Sequence, residues 1–172
     1  LAHGLGVTVQ SLTRLDAAWA GPHEAWAFPM RDVDGEMIGI RLRNETGKKW
    51  AINGSRSGLF IPDGQLGDMV EQVLVCEGPT DTVAALDLGF TAIGRPSGMG
   101  QENMVAAICR RRNVVIVGDN DPPKQRPDST EWRPGRDGAE RLAAALYGEA
   151  RTVKVIYPHR AVKDLRAWMK AG

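Results

Sequence analysis

Hydrophobic and polar positions change rhythm near residue 66. Before it, apolar residues alternate with polar ones over short runs broken by turn signals. Trp26-Ala27-Phe28-Pro29-Met30 leads into Asp34-Gly35, a dipeptide that favours a tight hairpin. Beyond it, Ile38, Ile40 and Leu42 alternate with Gly39, Arg41 and Arg43, which predicts a strand with a wet, basic face. A turn at residues 45–48 and a short strand at 49–53 follow, and residues 12–19 are expected to form a short helix.

From about residue 70 the apolar runs become short and continuous, and helical patterns separate them. Residues 73–76, 91–93, 114–117 and 153–157 read as strands. Residues 80–88, 101–112, 137–147 and 164–170 read as helices, the third opening on a capping box, Asp137-Gly138-Ala139-Glu140. Short buried strands alternating with helices predict an α/β fold: a four-stranded parallel sheet flanked by helices. The expected organisation is a small β-rich basic subdomain, residues 1–66, followed by the α/β domain, residues 70–172. Residues 122–134 are polar and proline-rich, and are expected to be a mobile surface insertion. The sequence has no internal repeat.

Composition narrows the field. The 172 residues carry 22 basic and 21 acidic side chains, a net charge of +1, with 42% hydrophobic and 25% charged residues. These are globular proportions, and they exclude a disordered tail or an arm held to nucleic acid by bulk charge. Two cysteines, Cys76 and Cys109, cannot build a disulfide scaffold, and both lie in apolar stretches, so buried thiols are expected. No run approaches the roughly 18 apolar residues of a membrane helix. The first residues lack a secretion signal, which makes the cytoplasm the expected compartment. The chain opens on Leu1 rather than Met, as a piece of a longer protein would. Positive charge is local: between Arg41 and Arg56 five basic residues face one acid, Glu45.

Three acidic groups carry candidate chemistry. Glu77-Gly78-Pro79-Thr80-Asp81 sits where a strand ends, and in open α/β sheets ligands bind outside the carboxyl ends of strands. Its plain alternative is a loop acid with Asp81 favouring a helix N-terminus. Gly118-Asp119-Asn120-Asp121 follows another strand; residues i and i+2 on extended backbone share a side, so Asp119 and Asp121 are expected to converge. Close carboxylates repel unless a cation lies between them, and hard oxygen donors suit Mg²⁺ or Mn²⁺. The alternative there is an Asp-rich turn before Pro122-Pro123. Asp164, in Lys163-Asp164-Leu165, is expected to cap the last helix. Strand ends of one parallel sheet share a rim, so Glu77, Asp81, Asp119 and Asp121 are placed to form one acidic pocket. The segment 94–100 is Gly-rich but matches neither a Walker A loop nor a dinucleotide fingerprint. His3, His23 and His159 lack metal-ligand spacing.

Strand-EGPTD-helix, then strand-GDND, then Lys-Asp-Leu, resembles the Toprim domain of primases, topoisomerases and certain nucleases. The likeness covers about 70–172, and Glu77, Asp81, Asp119 and Asp121 match that family's acids. The gap between Asp121 and Gly135-Arg136-Asp137-Gly138 is wider than the compact primase pattern, so 122–134 is an insertion beside the site; Asp128 and Asp137 are candidates for a further ligand. The segment from Phe28 through Asn53-Gly54-Ser55 is similar to the basic N-terminal subdomain of bacterial primases and phage primase-helicases. The resemblance implies short RNA primers made on a single-stranded DNA template from NTPs. It implies Glu77, Asp119 and Asp121 on Mg²⁺ or Mn²⁺, with Asp81 in support. Arg41, Arg43, Lys48, Lys49 and Asn53 are implied to contact template or nucleotide, and a replicative helicase, fused or separate, is an implied partner. This sequence carries no zinc-finger spacing ahead of the module and no Walker A motif after it. The alternatives are a metal-dependent nuclease using the same acids and a non-catalytic nucleic-acid-binding module.

Overall fold

The computed structural model describes residues 1–63, 71–159 and 161–172, so the boundary expected between 66 and 70 lies outside the described residues. Two short helices open the chain, α1 (Ala2–Leu5) and α2 (Val9–Arg14). An antiparallel sheet of β1 (Ala18–Ala20), β2 (Ala25–Arg31), β3 (Met37–Arg43) and β4 (Lys49–Ala51) follows in sequential order. The hairpin at Asp34-Gly35 joins β2 to β3, with Gly35 at φ 85°, where only glycine is unstrained. The helix expected over 12–19 stops at Arg14. Asp16 adopts a positive φ of 52°, and the chain then enters β1, where Trp19 pairs with Trp26 and packs edge-on against it.

The second half is β5 (Gln72–Glu77), α3 (Pro79–Asp87), β6 (Ala92–Arg95), α4 (Glu102–Cys109) and β7 (Asn113–Val117). A tiny hairpin of β8 (Lys124–Gln125) and β9 (Glu131–Trp132) precedes α5 (Pro134–Leu146), β10 (Thr152–Ile156) and α6 (Leu165–Ala171). β5, β6, β7 and β10 make a four-stranded, all-parallel sheet in the order β10-β7-β5-β6. The insertion is therefore a small hairpin rather than a structureless loop, although it is exposed nearly throughout. α4 stops at Cys109, short of the arginines expected in its last turn, and Arg111 takes a positive φ of 59°. α5 starts three residues before the expected cap. Pro134 suits the first helical turn, and the Asp137 carboxylate reaches back to the Arg133 N–H at 3.2 Å.

Alternation along each strand sends side chains to opposite faces of the sheet. Val73, Val75, Val114 and Ile116 point one way, into a cluster with Val105, Cys109, Leu142 and Leu146 of α4 and α5. Leu74, Cys76 and Val117 point the other way. They meet Val83 and Leu86 of α3, Leu165 of α6, and Leu12, Phe28, Met30 and Phe60 from the first half. The two sheets thus share one apolar cluster. Leu142 is fully buried, and truncating it to Ala removes on the order of 2–5 kcal/mol. A segment after β4 stitches the sheets: Leu59 bridges Arg31, and Phe60 bridges Gly94 at the edge of β6. Both cysteines are free and buried, as the apolar context predicts.

Candidate functional site

The register Val75↔Ile116 puts Glu77 level with Gly118, one residue before Asp119. Glu77 ends β5, and Gly78 turns the chain into α3 at φ 88°. Asp81 lies in the first turn of α3, is 5% exposed, and accepts the Arg166 N–H at 2.9 Å. Asp164 caps α6 as expected, accepting the Ala167 N–H at 2.8 Å. Asp81 therefore ties α3 to the start of α6, a structural duty that goes beyond favouring its own helix terminus.

The parallel sheet brings these acids onto one rim, and their mutual fields show it. Asp119 is pushed up to about 8, first by burial and then by Asp81, Glu77, Asp164 and Asp121. Asp81 rises to about 7, again mainly by burial and then by Asp164, against the opposing Arg166 N–H and charge. Burial, followed by Asp121, raises Glu77. Asp121 is the weakest of the four carboxylates acting on Asp119 yet the strongest acting on Glu77. β7 ends at Val117, so both aspartates sit on the connection beyond the strand rather than within it. Asp121 also pairs with Lys163 at 3.7 Å.

Cross-strand register decides where the basic residues point. Trp26, Arg43 and Lys49 are partners across β2, β3 and β4, and so are Phe28, Arg41 and Ala51. Phe28 and Met30 on this face are buried in the shared core, so the face predicted to be wet turns toward the second half. Desolvation first and Arg166 second lower the Arg43 pKa, while Asp81 and Asp164 raise it. Although Lys49 keeps much of its surface in solvent, desolvation and then Arg43 lower its pKa, with Asp81 and Asp119 opposing. Arg43 and Lys49 thus sit within the field of the acidic rim. Arg41 is half-buried, with its Nε shielded and unpartnered. Lys48 is exposed, its ammonium 5.9 Å from the centre of the Trp50 ring, and Asn53 is exposed in the turn after β4. Asp137 is held by Arg133 and Arg126 rather than by the rim, and Asp128 is an exposed hairpin acid bonded to Thr130.

Sequence reasoning passed over three features. Arg95, cross-strand from Glu77, is 3% exposed and donates to the carbonyls of Gly100 and Gly138, both at 3.4 Å. Burial lowers its pKa, which Glu77 and Glu102 partly restore. Its position at a strand end within a Gly-rich segment was the available signal. Asn120 points away from the acids: its amide donates to the carbonyls of Pro158, His159 and Val162, at 2.7, 3.2 and 2.9 Å. That anchors the strand-to-helix connection carrying Lys163 and Asp164. The third feature is close backbone packing. A Cβ at Gly135 would collide with the Asp119 carbonyl, and one at Gly138 with the Gly98 carbonyl. No periodicity encodes either contact.

Beyond the rim, on the β10 side, a cavity of about 470 Å³ opens, with Asp119, Asp121, Pro123, Arg133, Arg136 and Tyr157 among its walls. The Arg136 guanidinium lies 5.1 Å from the centre of the Tyr157 ring. As the side chains are placed, no three Asp, Glu, His or Cys residues among those described stand together as a ready metal cage. The rim donors are all carboxylate oxygens, the chemistry a hard divalent cation takes, and a cation there would relieve the repulsion that raises Asp119. Among the described residues, no helix is long and apolar enough to cross a membrane.

No protein-family model matches the sequence, and no curated protein does. The fold, however, is that of primase catalytic cores. The chain superimposes on the DnaG catalytic core with a TM-score of 0.73 at 18% identity, covering 99% of this chain and 67% of that one. The primase fragment of the bacteriophage T7 primase-helicase gives 0.66 at 17% identity, covering 99% and 68%. The DnaG primase catalytic domain bound to ssDNA gives 0.72 at 17%, covering 99% and 66%. The chain therefore spans about two thirds of the length of these cores.

Proposed function

We propose that this chain is the catalytic core of a DNA primase, joining ribonucleotides on single-stranded DNA by metal-dependent nucleotidyl transfer. The observation that carries this reading is the pairing of two surfaces. The acidic rim of a Toprim-type sheet, Glu77, Asp119 and Asp121, shares its field with the basic strand face bearing Arg43 and Lys49. A basic face set against the acids is what an enzyme needs to hold a template and a nucleotide beside its metal site.

In this reading the 3′ hydroxyl of one nucleotide attacks the α-phosphate of the next and pyrophosphate leaves. Glu77, Asp119 and Asp121 hold Mg²⁺ or Mn²⁺, which when bound neutralises charge on the phosphates. Glu77, whose pKa is raised by burial and then by Asp121, either takes the hydroxyl proton or adds an oxygen to the cation. Asp81 works from behind, fixing α3 against α6. Arg43 and Lys49, with Arg41 and Lys48 farther along the strand pair, contact template or nucleotide phosphates, which positions a strand without reading its sequence. Asn53 belongs to the same contact surface. Single-stranded DNA and NTPs are then the substrates, a replicative helicase is a partner, and the cytoplasm is the site of action.

The test is synthesis. The chain is incubated with Mg²⁺ or Mn²⁺, the four ribonucleoside triphosphates and single-stranded templates of varied sequence. Labelled ribonucleotide oligomers support the reading. Strand degradation without synthesis replaces it with a nuclease, and metal-independent DNA binding with no product replaces it with a binding module.

A further inference from the structure

The β8–β9 hairpin of the insertion has a defined turn and two unlike faces. The Ser129 N–H donates to the Arg126 carbonyl at 2.9 Å, and the Arg126 N–H donates to the Thr130 carbonyl at 2.8 Å. Pro127 stands at the first corner, where its fixed φ suits a turn, and Ser129 takes φ 67°, the left-handed step that returns the chain to β9. Pro122 and Pro123 precede β8 and Pro134 follows Arg133, so both arms are stiff at their roots. Lys124 pairs with Trp132, and Gln125 with Glu131. Alternation then puts Lys124, Arg126, Thr130 and Trp132 on one face, with Gln125 and Glu131 on the other. The Arg126 guanidinium lies 5.5 Å from the centre of the Trp132 ring. Lys124 and Arg126 are exposed, and Trp132 is half-buried. The nearby acids are turned elsewhere: Asp128 accepts from the Thr130 hydroxyl, and Glu131 stands 3.8 Å from Arg133. Asp137 comes within 3.8 Å of Arg126, beyond hydrogen-bond distance, and already accepts the Arg133 N–H.

We propose that this face of the hairpin is a second contact ribbon for single-stranded nucleic acid, with a base stacked on the Trp132–Arg126 pair and phosphates held by Lys124 and Arg126. A ring braced by a guanidinium is a flat platform, and stacking on it is open to any base because every base has a π-face. The stack occupies the plane of the guanidinium and leaves its N–H edge to donate to a phosphate. Lys124, directly across from Trp132, adds a point charge for a neighbouring phosphate. A duplex keeps its base faces inside its own stack and offers the ring nothing to bind, so the occupant is a single strand. Only Pro122 and Pro123 separate β8 from Asp121, so the ribbon stands beside the Asp121 end of the rim. Arg43 and Lys49 are coupled to Asp81 instead, and a strand gripped at both places runs past the acids. The choice of nucleic acid rests on the reading that those acids act on it; the ribbon belongs to neither the rim nor the Arg43–Lys49 face and would serve a nuclease equally.

Fluorescence anisotropy with a labelled oligothymidylate, without metal or nucleotide and over a range of salt concentrations, tests this. Trp132→Ala is expected to weaken binding about fivefold or more, the low end of one stacked base, at an unchanged salt slope. Lys124→Ala/Arg126→Ala is expected to weaken binding and to flatten the slope by about 1.4, at about 0.7 for each phosphate. Trp132→Phe keeps a ring and is expected to retain most of the affinity. Should the alanine variants misfold, the wild type is photo-cross-linked to a 5-iodouracil oligonucleotide and read by mass spectrometry, with the label expected on Trp132. Wild-type affinity in the alanine variants, equal losses in Trp132→Ala and Trp132→Phe, or a label that avoids the hairpin overturns the ribbon even if the chain makes primers. Trp132-dependent binding that favours a duplex of the same length overturns the single-strand assignment. Trp132-dependent strand binding by a chain that makes no oligomer leaves the ribbon standing and removes the primase reading.

Discussion

The two ends of the acidic rim are built differently. At the α3–α6 end, Asp81 is buried and bonded to the Arg166 N–H, and Asp164 caps its own helix, so both carboxylates are part of the packing. At the insertion end, Asp121 pairs with Lys163 at 3.7 Å, and the neighbouring Arg133 and Arg136 stand 3.8 and 3.9 Å from exposed acids, Glu131 of the hairpin and Glu140 of α5. One end is fixed like a core and the other is loose like a surface. A site that clamps a reacting centre while admitting and releasing a charged ligand needs that asymmetry. Mutations at the fixed end should therefore register in stability, and those at the loose end only in binding.

Asp119 stands between the two ends, and the largest effect is expected there. Asp119→Ala should cut metal-dependent synthesis by roughly 10²–10³, the scale of losing one group that stabilises developing charge. The fold should survive, because the carboxylate removed is one that its neighbours disfavour. Matched primer assays and circular-dichroism melts check both halves. A variant that unfolds would place Asp119 with the packed end.

The metal-free protein should lose stability as pH rises. Asp119 near 8 and Asp81 near 7 lie above the 3.8 of an ordinary aspartate, so between about pH 4 and 8 the folded state holds protons that the unfolded chain has released. Stability is greatest on the acid side of that window with respect to these groups. It falls through it by something on the order of a few kcal/mol at most. Denaturation midpoints at pH 5 and pH 8 should show this, and Asp119→Asn should flatten the difference. A profile that climbs with pH would mean that the acids are less buried than the fold implies.

Gly138→Ala should cost about 1–3 kcal/mol, because its new Cβ meets the Gly98 backbone, which has little room to yield. Asp164→Ala, which removes a helix cap, should cost about 1 kcal/mol. Urea titrations resolve both. At the loose end, Asp128→Ala should change stability by less than about 0.5 kcal/mol, as exposed substitutions usually do. A larger shift there would show that the hairpin is packed and would erase the contrast.

How much of this was legible depends on the range of the interaction. The four parallel strands and their order of appearance were readable from short apolar runs, since burial on both faces leaves an unbroken hydrophobic string. The acids Glu77, Asp119 and Asp121 were readable because they follow those strings directly. The end of α2 was not, since Asp16 leaves the helical region in a stretch whose apolar spacing still suits a helix. The direction of the Arg41–Arg43 face was missed because alternation tells which residues share a side, not which side meets the core. Arg95 and Asn120 were opaque for a related reason: their partners lie up to 43 residues away, at Gly138 for Arg95 and at residues 158–162 for Asn120.

The Leu59–Phe60 stitch has a consequence for how the molecule unfolds. One residue of the pair hydrogen-bonds into the antiparallel sheet at Arg31, and the next into the edge of β6 at Gly94. β6 would otherwise offer an unpaired strand edge, a template for pairing with other chains. Neither sheet can open fully without breaking the same two-residue seam, so the halves are expected to exchange their slowest amide protons at a common rate. The Phe60 and Gly94 amides are the reporters. If they exchange with the global unfolding rate, the two sheets behave as a single foldon; if they exchange early, the edge of β6 is exposed before the rest, and association through it becomes the chain's first route to aggregation.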